Sequence, residues 1–254
     1  MKNANRPANT DEPDSETPWL ATKAIWIMDA AQGPWCAHVS CIKPRWPCIA
    51  SAPRHDMYTA NDIVPVVRDR TEINNPHPVY NPFASNRIAK SFSTDHVRGK
   101  VIPVYIGLIK QCDDQMERLF RYLEDAGQDK DAMIIFTSDH GDYLGDHWLG
   151  EKDLFHTPAV KVPLIIYDPR ESAGGTRGVV CRDLVEAIDV TTTITDAAGC
   201  ELPSHIVEGR SLMPYLENRE HPEPQSHAIS EYDCSNHPAR AGLKVAPRTP
   251  GCSW

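Results

Sequence analysis

Two adjacent side chains that commonly bind metal ions, Asp139 and His140, follow an apolar run in the segment Ser138-Asp139-His140-Gly141-Asp142. A carboxylate beside an imidazole suits Mn²⁺ or Zn²⁺, and neighbouring oxygen ligands would also admit Ca²⁺. Consecutive strand residues point to opposite faces, but Gly141 would free the backbone to turn, so that both side chains could approach one ion. The same residue types are equally typical of a capped turn.

A cation and a second histidine follow in the same loop. Lys152 lies thirteen positions after Asp139, and a lysine there could neutralise charge on a transferred sulfuryl or phosphoryl group. His147 could contact a leaving group or could be a packed loop histidine. Asp142 and Asp146 carry the short carboxylates that shape turns. The loop is therefore a candidate metal-and-anion site.

Helices and apolar runs alternate around this loop. The runs 132–137 and 162–167 predict strands covered on both faces, and 35–42 predicts another buried strand. Apolar spacing predicts a helix from residue 19 that stops at Gly33-Pro34, a second over about 103–126 and a third over 184–198. The alternation predicts an α/β fold with a central sheet and helices on both faces. Such sheets place ligands at their carboxyl edge.

Composition and charge argue against several classes of protein and partner. Residues 1–18 have almost no apolar side chain, which predicts disorder, and 43–97 predicts a long irregular excursion. The net charge of -9, with scattered basic residues, argues against a nucleic-acid partner. The apolar runs are too short to cross a membrane. The eight cysteines show no CxxC pair, so neither a zinc cage nor a disulfide framework is indicated, and a reducing, cytoplasmic location is expected.

A resemblance to a known family adds to this interpretation. Residues 133–169, MIIFTSDHGDYLGDHWLGEKDLFHTPAVKVPLIIYDP, resemble the C-terminal active-site segment of the sulfatases, and most closely that of the phosphonate monoester hydrolase branch of the alkaline phosphatase superfamily. Further matches are Gly33 to Pro53, Asp189 to Gly199, Glu208 to Leu212 and Ser230 to Asp233. The resemblance implies a lead-in at 1–18, the C-terminal portion of a sulfatase-like catalytic domain at 19–242 and an unmatched tail at 243–254. The implied alkaline-phosphatase-like sheet is incomplete, because the N-terminal part of the domain is absent.

The resemblance also assigns roles to individual residues. It implies that Asp139 and His140 bind a divalent metal ion (Mn, Ca or Zn). It implies catalytic positions for Lys152 and His147, with Lys152 also contacting the anionic group of a small ester substrate. Arg45 stands in the family's Pro-His-x-Pro stretch, where this chain has Pro44-Arg45-Trp46-Pro47. An arginine there could bind an anion but could not act as a general acid or base near neutral pH.

The family's nucleophile is missing from the pattern. It is a formylglycine made from the Cys of a Cys-x-Pro/Ala/Ser-x-Arg motif, whereas Cys41-Ile42-Lys43-Pro44-Arg45 has a lysine in the middle, and we interpret that match as coincidence. We therefore expect a truncated copy of a hydrolase of phosphonate monoesters or sulfate esters, inactive in isolation because no nucleophile is present to activate. An intact, in-frame N-terminal half in the upstream DNA would contradict this expectation.

Two other functions remain open. The chain could be an inactive fragment that binds metal weakly or associates with an intact paralogue; its exposed apolar surface would also favour a homo-oligomer. Phosphoglycerate mutase or nucleotide pyrophosphatase chemistry would share the Asp-His pair, but it accounts less well for Leu144 to His147 and for Gly209 to Leu212.

Overall fold

The structure is a computed structural model that describes residues 5–201, 203, 205–219 and 225–231. The described chain divides into two compact units, the first made of residues 5–119 and 140–161 and the second of residues 120–139 and the described part of 162–231. The unmatched tail at 243–254 lies outside the described residues. In chain order the elements are α1 (Glu16–Ala30), α2 (Thr71–Asn74), α3 (Tyr80–Ala84), α4 (Arg87–Phe92), α5 (Asp95–Asp125), β1 (Ile134–Thr137), α6 (Thr157–Val160), β2 (Leu164–Tyr167), α7 (Ala187–Ala197) and α8 (Met213–Leu216). Short 3-10 helices lie at Glu12–Asp14, Ala60–Asp62, Asp146–Trp148 and Glu171–Thr176.

Helix α5 is longer than its sequence signals indicate. It begins at Asp95, eight residues before the predicted start, and Pro103 lies inside it. A proline is compatible with the first turn of a helix but removes one backbone hydrogen bond from an interior, which is why the sequence favours Pro103 as the start. Val101, Val104 and Leu108 are buried at helical spacing and pack in the core of the first unit. Burial of this face stabilises the helix despite the proline.

The N-terminal segment differs from the predicted disordered lead-in. Within residues 5–18, the Ala8 N–H donates to the Ala50 carbonyl at 2.8 Å, and Glu12 pairs with Arg54 at 2.9 Å. Helix α1 already begins at Glu16, and Thr17 is buried. A polar composition predicts disorder when no partner surface is known, and here the residues around positions 50–54 supply that surface.

The two predicted strands beside the loop form as β1 and β2, and they pair with each other. The pairing is antiparallel, with Ile134 opposite Tyr167 and Thr137 opposite Leu164. The prediction that both faces are covered is wrong for these strands, because Ile165 is 63% exposed and Phe136 37%. Among the described residues the sheet has two strands, and none of their side chains is fully buried. None of the helices in the described ranges is long and apolar enough to cross a membrane.

The third predicted strand does not form. Residues 35–42 have no regular secondary structure, and most of them are exposed. Aromatic and β-branched residues favour strands only where a neighbouring strand pairs with them, and none of the described residues does so here. The irregular excursion predicted for 43–97 instead contains helices α2, α3 and α4, each six residues or shorter.

Candidate metal and anion site

The loop after β1 has an unusual backbone. Six of the seven described non-glycine residues with positive φ lie between positions 144 and 154. They are Leu144, His147, Trp148, Glu151, Asp153 and Leu154. Each such conformation costs on the order of 1–3 kcal/mol and persists only where the surrounding contacts impose it. The loop is therefore held in its shape by other parts of the first unit.

Hydrogen bonds within the loop close it on itself. The Tyr143 N–H donates to the Glu151 carbonyl at 2.8 Å, and the Gly145 N–H donates to the Leu149 carbonyl at 2.9 Å. Tyr143 and Leu149 are buried in a cluster with Phe83, Ala89 and Ala159. Lys152 follows Glu151 directly, so its backbone is fixed beside the segment that begins at Asp142.

The segment before α2 holds the loop from outside. The His147 N–H donates to the Val67 carbonyl at 2.8 Å, and the Val67 N–H donates to the Asp146 carboxylate at 2.9 Å. The Trp148 indole N–H donates to the Asp69 carbonyl at 2.7 Å. The Arg98 guanidinium of α5 donates to the Leu144 carbonyl at 3.0 Å. These partners lie 46 to 80 positions from the loop residue they bind.

Asp142 has the turn-shaping role expected of it. Its carboxylate accepts the Leu144 N–H at 2.9 Å. Burial raises the pKa of Asp142 to about 7, and the charge of Glu151 adds to this effect, while the Leu144 bond and the charge of Arg45 oppose it. Arg45 is therefore close enough to Asp142 to attract its carboxylate. The charge of Arg45 thus acts on Asp142 without a hydrogen bond or close ion pair between the two side chains.

Gly141 is required for a different reason from the predicted one. It does not have a positive φ, so the turn needs no glycine-specific conformation there. A Cβ at this position would instead lie 1.9 Å from the Pro158 carbonyl oxygen. The Gly141 N–H donates to the Ala159 carbonyl at 2.8 Å, so two backbone segments meet here without room for a side chain.

The candidate metal ligands, Asp139 and His140, are consecutive in sequence. Asp139 belongs to the second unit and is exposed just after β1. His140 belongs to the first unit, and its Nδ1 lies 2.7 Å from the Gly141 carbonyl oxygen. A carbonyl can only accept, so this bond places a proton on Nδ1.

The described residues supply too few ligand side chains for a complete metal site. Over the described ranges, no group of three or more His, Cys, Asp or Glu side chains is placed to hold an ion. A carboxylate and an imidazole fit Mn²⁺, Zn²⁺ or Ca²⁺ by type, but even a four-coordinate ion needs further donors. Asp139 and His140 are therefore compatible with part of a metal site.

The two candidate anion-binding side chains, Lys152 and Arg45, have no close ion-pair or hydrogen-bonding partner within the described residues. Neither the Lys152 ammonium nor the Arg45 guanidinium forms a hydrogen bond or close ion pair with another residue of the described chain. Lys152 is half-buried and Arg45 exposed. A half-buried ammonium without a protein partner is suited to an external anion.

His147 lies in a cluster that the sequence does not reveal. Its Nδ1 is 2.6 Å from Glu72 Oε1. Its ring stacks on His156 with centroids 4.2 Å apart, and the Tyr143 hydroxyl lies 2.9 Å from His156 Nδ1. The Tyr80 hydroxyl donates to the His147 carbonyl. Glu72 and Tyr80 come from the excursion at 43–97, in which no periodic pattern indicates a contact with the loop.

Burial affects the ionisation of this cluster. It lowers the pKa of His156, and the neighbouring His147 adds to the effect while Glu72 opposes it. Burial also raises the pKa of Tyr143 to about 12, so its hydroxyl stays protonated. The 2.9 Å bond between the Tyr143 hydroxyl and His156 Nδ1 therefore joins two groups whose neutral forms burial favours.

Known proteins are similar to this chain in sequence. The sulfatase family model matches residues 22–200. The chain is 33% identical to the multifunctional alkaline phosphatase superfamily protein PehA of Trinickia caryophylli over 83% of its own length and 44% of that protein, and 27% identical to an arylsulfatase of Clostridium perfringens over 85% and 44%.

Solved structures agree in fold. The phosphonate monoester hydrolase of Silicibacter pomeroyi superposes with a TM-score of 0.79 at 32% identity, covering 87% of this chain and 45% of that one. The phosphonate monoester hydrolase of Agrobacterium radiobacter gives 0.83 at 26% identity, covering 94% and 50%. The predicted alkaline-phosphatase-like α/β fold is confirmed, and the chain spans about half the length of the relatives it matches. The matched family model and these relatives together show that the chain belongs to the sulfatase family.

Proposed function

We propose that this chain supplies the metal-and-anion segment of an active site that hydrolyses phosphonate monoesters or sulfate esters. The observation that carries the proposal is Lys152, a half-buried cation without a protein partner in the described chain, on a strained loop that the first unit holds in place. Hydrolases of this type must stabilise negative charge that develops on the transferred group. An ammonium carried on a restrained loop backbone meets that requirement.

The remaining candidate residues fit around this cation. The charge of Arg45 attracts the carboxylate of Asp142, which belongs to the loop of Lys152, and Arg45 would bind a second oxygen of the anionic ester. Asp139 and His140 would hold a divalent ion, Mn²⁺, Ca²⁺ or Zn²⁺, together with donors that the described residues do not supply. When bound, such an ion polarises the ester oxygens. Lys152 and Arg45 would orient the ester and offset its charge.

The names of the relatives indicate a substrate class for this chain. Their names include phosphonate monoester hydrolases and an arylsulfatase, and both kinds of ester carry a compact anionic group on an organic leaving group. Lysine and arginine bind sulfur and phosphorus oxyanions alike, because the two groups have similar geometry and charge. We infer a small anionic ester as the substrate.

Turnover of an aryl sulfate and of a phenyl phosphonate monoester, with Mn²⁺ or Ca²⁺ present, tests this function. The variants are Asp139→Ala and Lys152→Ala, and the matched control is Lys161→Ala, an exposed lysine of the same unit outside the candidate site. Hydrolysis that both variants abolish and the control retains supports the proposal. Hydrolysis that survives Lys152→Ala contradicts it.

A second function is favoured by the exposed apolar surface. Ile165, Phe136 and Tyr167 of the two-stranded sheet are 63%, 37% and 38% exposed. We infer that a chain without turnover would associate through this sheet with a second copy or an intact paralogue. Absence of turnover, together with a melting temperature that metal does not change, supports this second function and contradicts the first.

A further inference from the structure

The carboxylate of Glu72 is fixed at both oxygens. Its Oε2 accepts the Asp69 N–H at 3.0 Å, and its Oε1 lies 2.6 Å from His147 Nδ1. The two side chains are 28% and 23% exposed, so the pair is shielded from much of the solvent. A carboxylate accepts and cannot donate when ionised, so the proton of this bond belongs to Nδ1.

The imidazole is restrained on its other sides. The His147 backbone is in the left-handed region at φ 50°, and it is bonded at both its N–H and its carbonyl. The ring of His156 stacks on it at an interplanar angle of 20°, and Tyr143 meets it edge-on. The ionisable groups that face His147 are thus Glu72, His156, Tyr143 and Tyr80. Of these, only Glu72 carries charge at neutral pH when His156 is neutral.

We propose that Glu72 is a positioning residue that fixes His147 with its proton on Nδ1 and leaves Nε2 as the atom that transfers a proton to the leaving group of the ester. An imidazole held by a carboxylate in this way has a defined tautomer and a stabilised imidazolium form. His147 lies five positions before Lys152, in the same restrained loop. The reaction named here rests on the proposed function, whereas the tautomer does not.

The proton balance is simple. As the P–O or S–O bond to the leaving group breaks, its electron pair goes to the leaving oxygen, and that oxygen takes the Nε2 proton of the His147 imidazolium. The product is a neutral alcohol or phenol. The imidazole that remains is neutral, keeps its Nδ1 proton on Glu72, and regains the Nε2 proton from water. General acid catalysis of this kind contributes typically about 10²- to 10⁴-fold in rate.

Nitrogen-15 NMR of the histidine rings tests the pair without any need for turnover. His147→Gln identifies the His147 signals. We expect the neutral His147 of the unaltered chain to carry its proton on Nδ1, and Glu72→Ala to shift that proton toward Nε2. The control Glu171→Gln, an exposed carboxylate of the second unit, should change nothing. A proton on Nε2 in the unaltered chain, or a tautomer that Glu72→Ala leaves unchanged, would overturn the inference.

Kinetics separate this inference from the proposed function. Where the chain turns over an aryl sulfate or phosphonate, Glu72→Ala should lower kcat about tenfold or more with KM within about twofold, because proton transfer acts in the transition state. Glu72→Gln keeps an acceptor for Nδ1–H and should recover part of the loss. An unchanged kcat in Glu72→Ala refutes the positioning role while the proposed function stands. In a chain without turnover, the result expected where the nucleophile is absent, the NMR tautomer decides the inference and anion binding at Lys152 decides the proposed function.

Discussion

Replacing Gly141 with alanine should destabilise the chain because two backbone segments meet at this residue. The added Cβ would lie 1.9 Å from the Pro158 carbonyl oxygen and 3.0 Å from its carbon. Carbon–oxygen contacts normally exceed about 3.3 Å, so the segments must separate by roughly 1.4 Å. The obstacle is backbone, which cannot rotate away as a flexible side chain can.

The expected loss in the free energy of unfolding has two parts. The Gly141 N–H bond to Ala159, now 2.8 Å, would lengthen beyond hydrogen-bonding distance, and a lost backbone bond with poorly solvated groups costs about 1–3 kcal/mol. Ala159 is buried in the cluster with Tyr143 and Leu149, and overpacking of such a cluster costs about 1–3 kcal/mol. Because partial relaxation lowers the sum, we expect a loss of about 2–4 kcal/mol in the free energy of unfolding.

Thermal unfolding followed by circular dichroism measures this loss. A change of that size lowers Tm by about 5 to 15 °C in a protein of this length. The matched control is Gly33→Ala in the same unit, where a Cβ would meet nothing within 4 Å and φ is not positive. Its free energy of unfolding should change by about 0.5 kcal/mol or less. A Tm of Gly141→Ala within about 2 °C of the control would refute the reasoning from close backbone approach.

Three further predictions concern the first unit. Tyr143→Phe should cost about 1–2 kcal/mol in the free energy of unfolding, measured by denaturant titration, because it removes the hydroxyl bonded to His156; an unchanged midpoint would contradict that bond. The folded-state pKa of His156 lies below its usual 6.5, so the unfolded chain binds more protons between the two values, and stability should fall as the pH drops through 6.5. His156→Gln should flatten that slope in melting curves, and an equal slope in both proteins would exclude His156 as its source. The hydrogen bond from Cys112 lowers the pKa of Cys41 to about 7, while burial raises that of Cys48 to about 12, so peptide mapping after alkylation at neutral pH should find Cys41 modified first; faster modification of Cys48 would contradict its burial.

Local signals in the sequence locate several elements correctly. The apolar runs beside the loop become β1 and β2, and Gly127 and Gly199 follow α5 and α7 at φ 68° and 69°. A glycine after a helix commonly adopts this left-handed conformation, so the signal depends on a few neighbouring residues. Local physical preferences are sufficient for such features.

Features that depend on distant partners could not be predicted. The run at 35–42 has strand-forming residues but no strand beside it in the described chain. The start of α5 depends on burial of Val101 and Val104 rather than on Pro103. Exposure of the strand side chains depends on which elements pack on the faces of the sheet, and the sequence pattern alone does not identify them.

The residues of the candidate site also fall into two groups, those that local sequence signals identify and those that depend on a distant partner. Sequence spacing and the family resemblance identify the residues of the loop, and those assignments of Asp139, His140, His147, Lys152 and Arg45 remain proposals. Glu72 lies 75 positions from His147 in sequence, and no local pattern indicates that the two are paired. A single sequence also cannot distinguish a glycine needed for positive φ from one needed for close approach, as at Gly141.

Binding of an inorganic anion tests the central claim most directly, because it does not require turnover. Calorimetric titration of the chain with sulfate in the presence of Mn²⁺ should give saturable binding that Lys152→Ala weakens about tenfold or more, since a desolvated charge-assisted contact contributes about 1.5–3 kcal/mol. Lys161→Ala should bind as the unaltered chain does. Binding that Lys152→Ala and Lys161→Ala affect equally would contradict the assignment of Lys152 as the anion-binding residue of the loop.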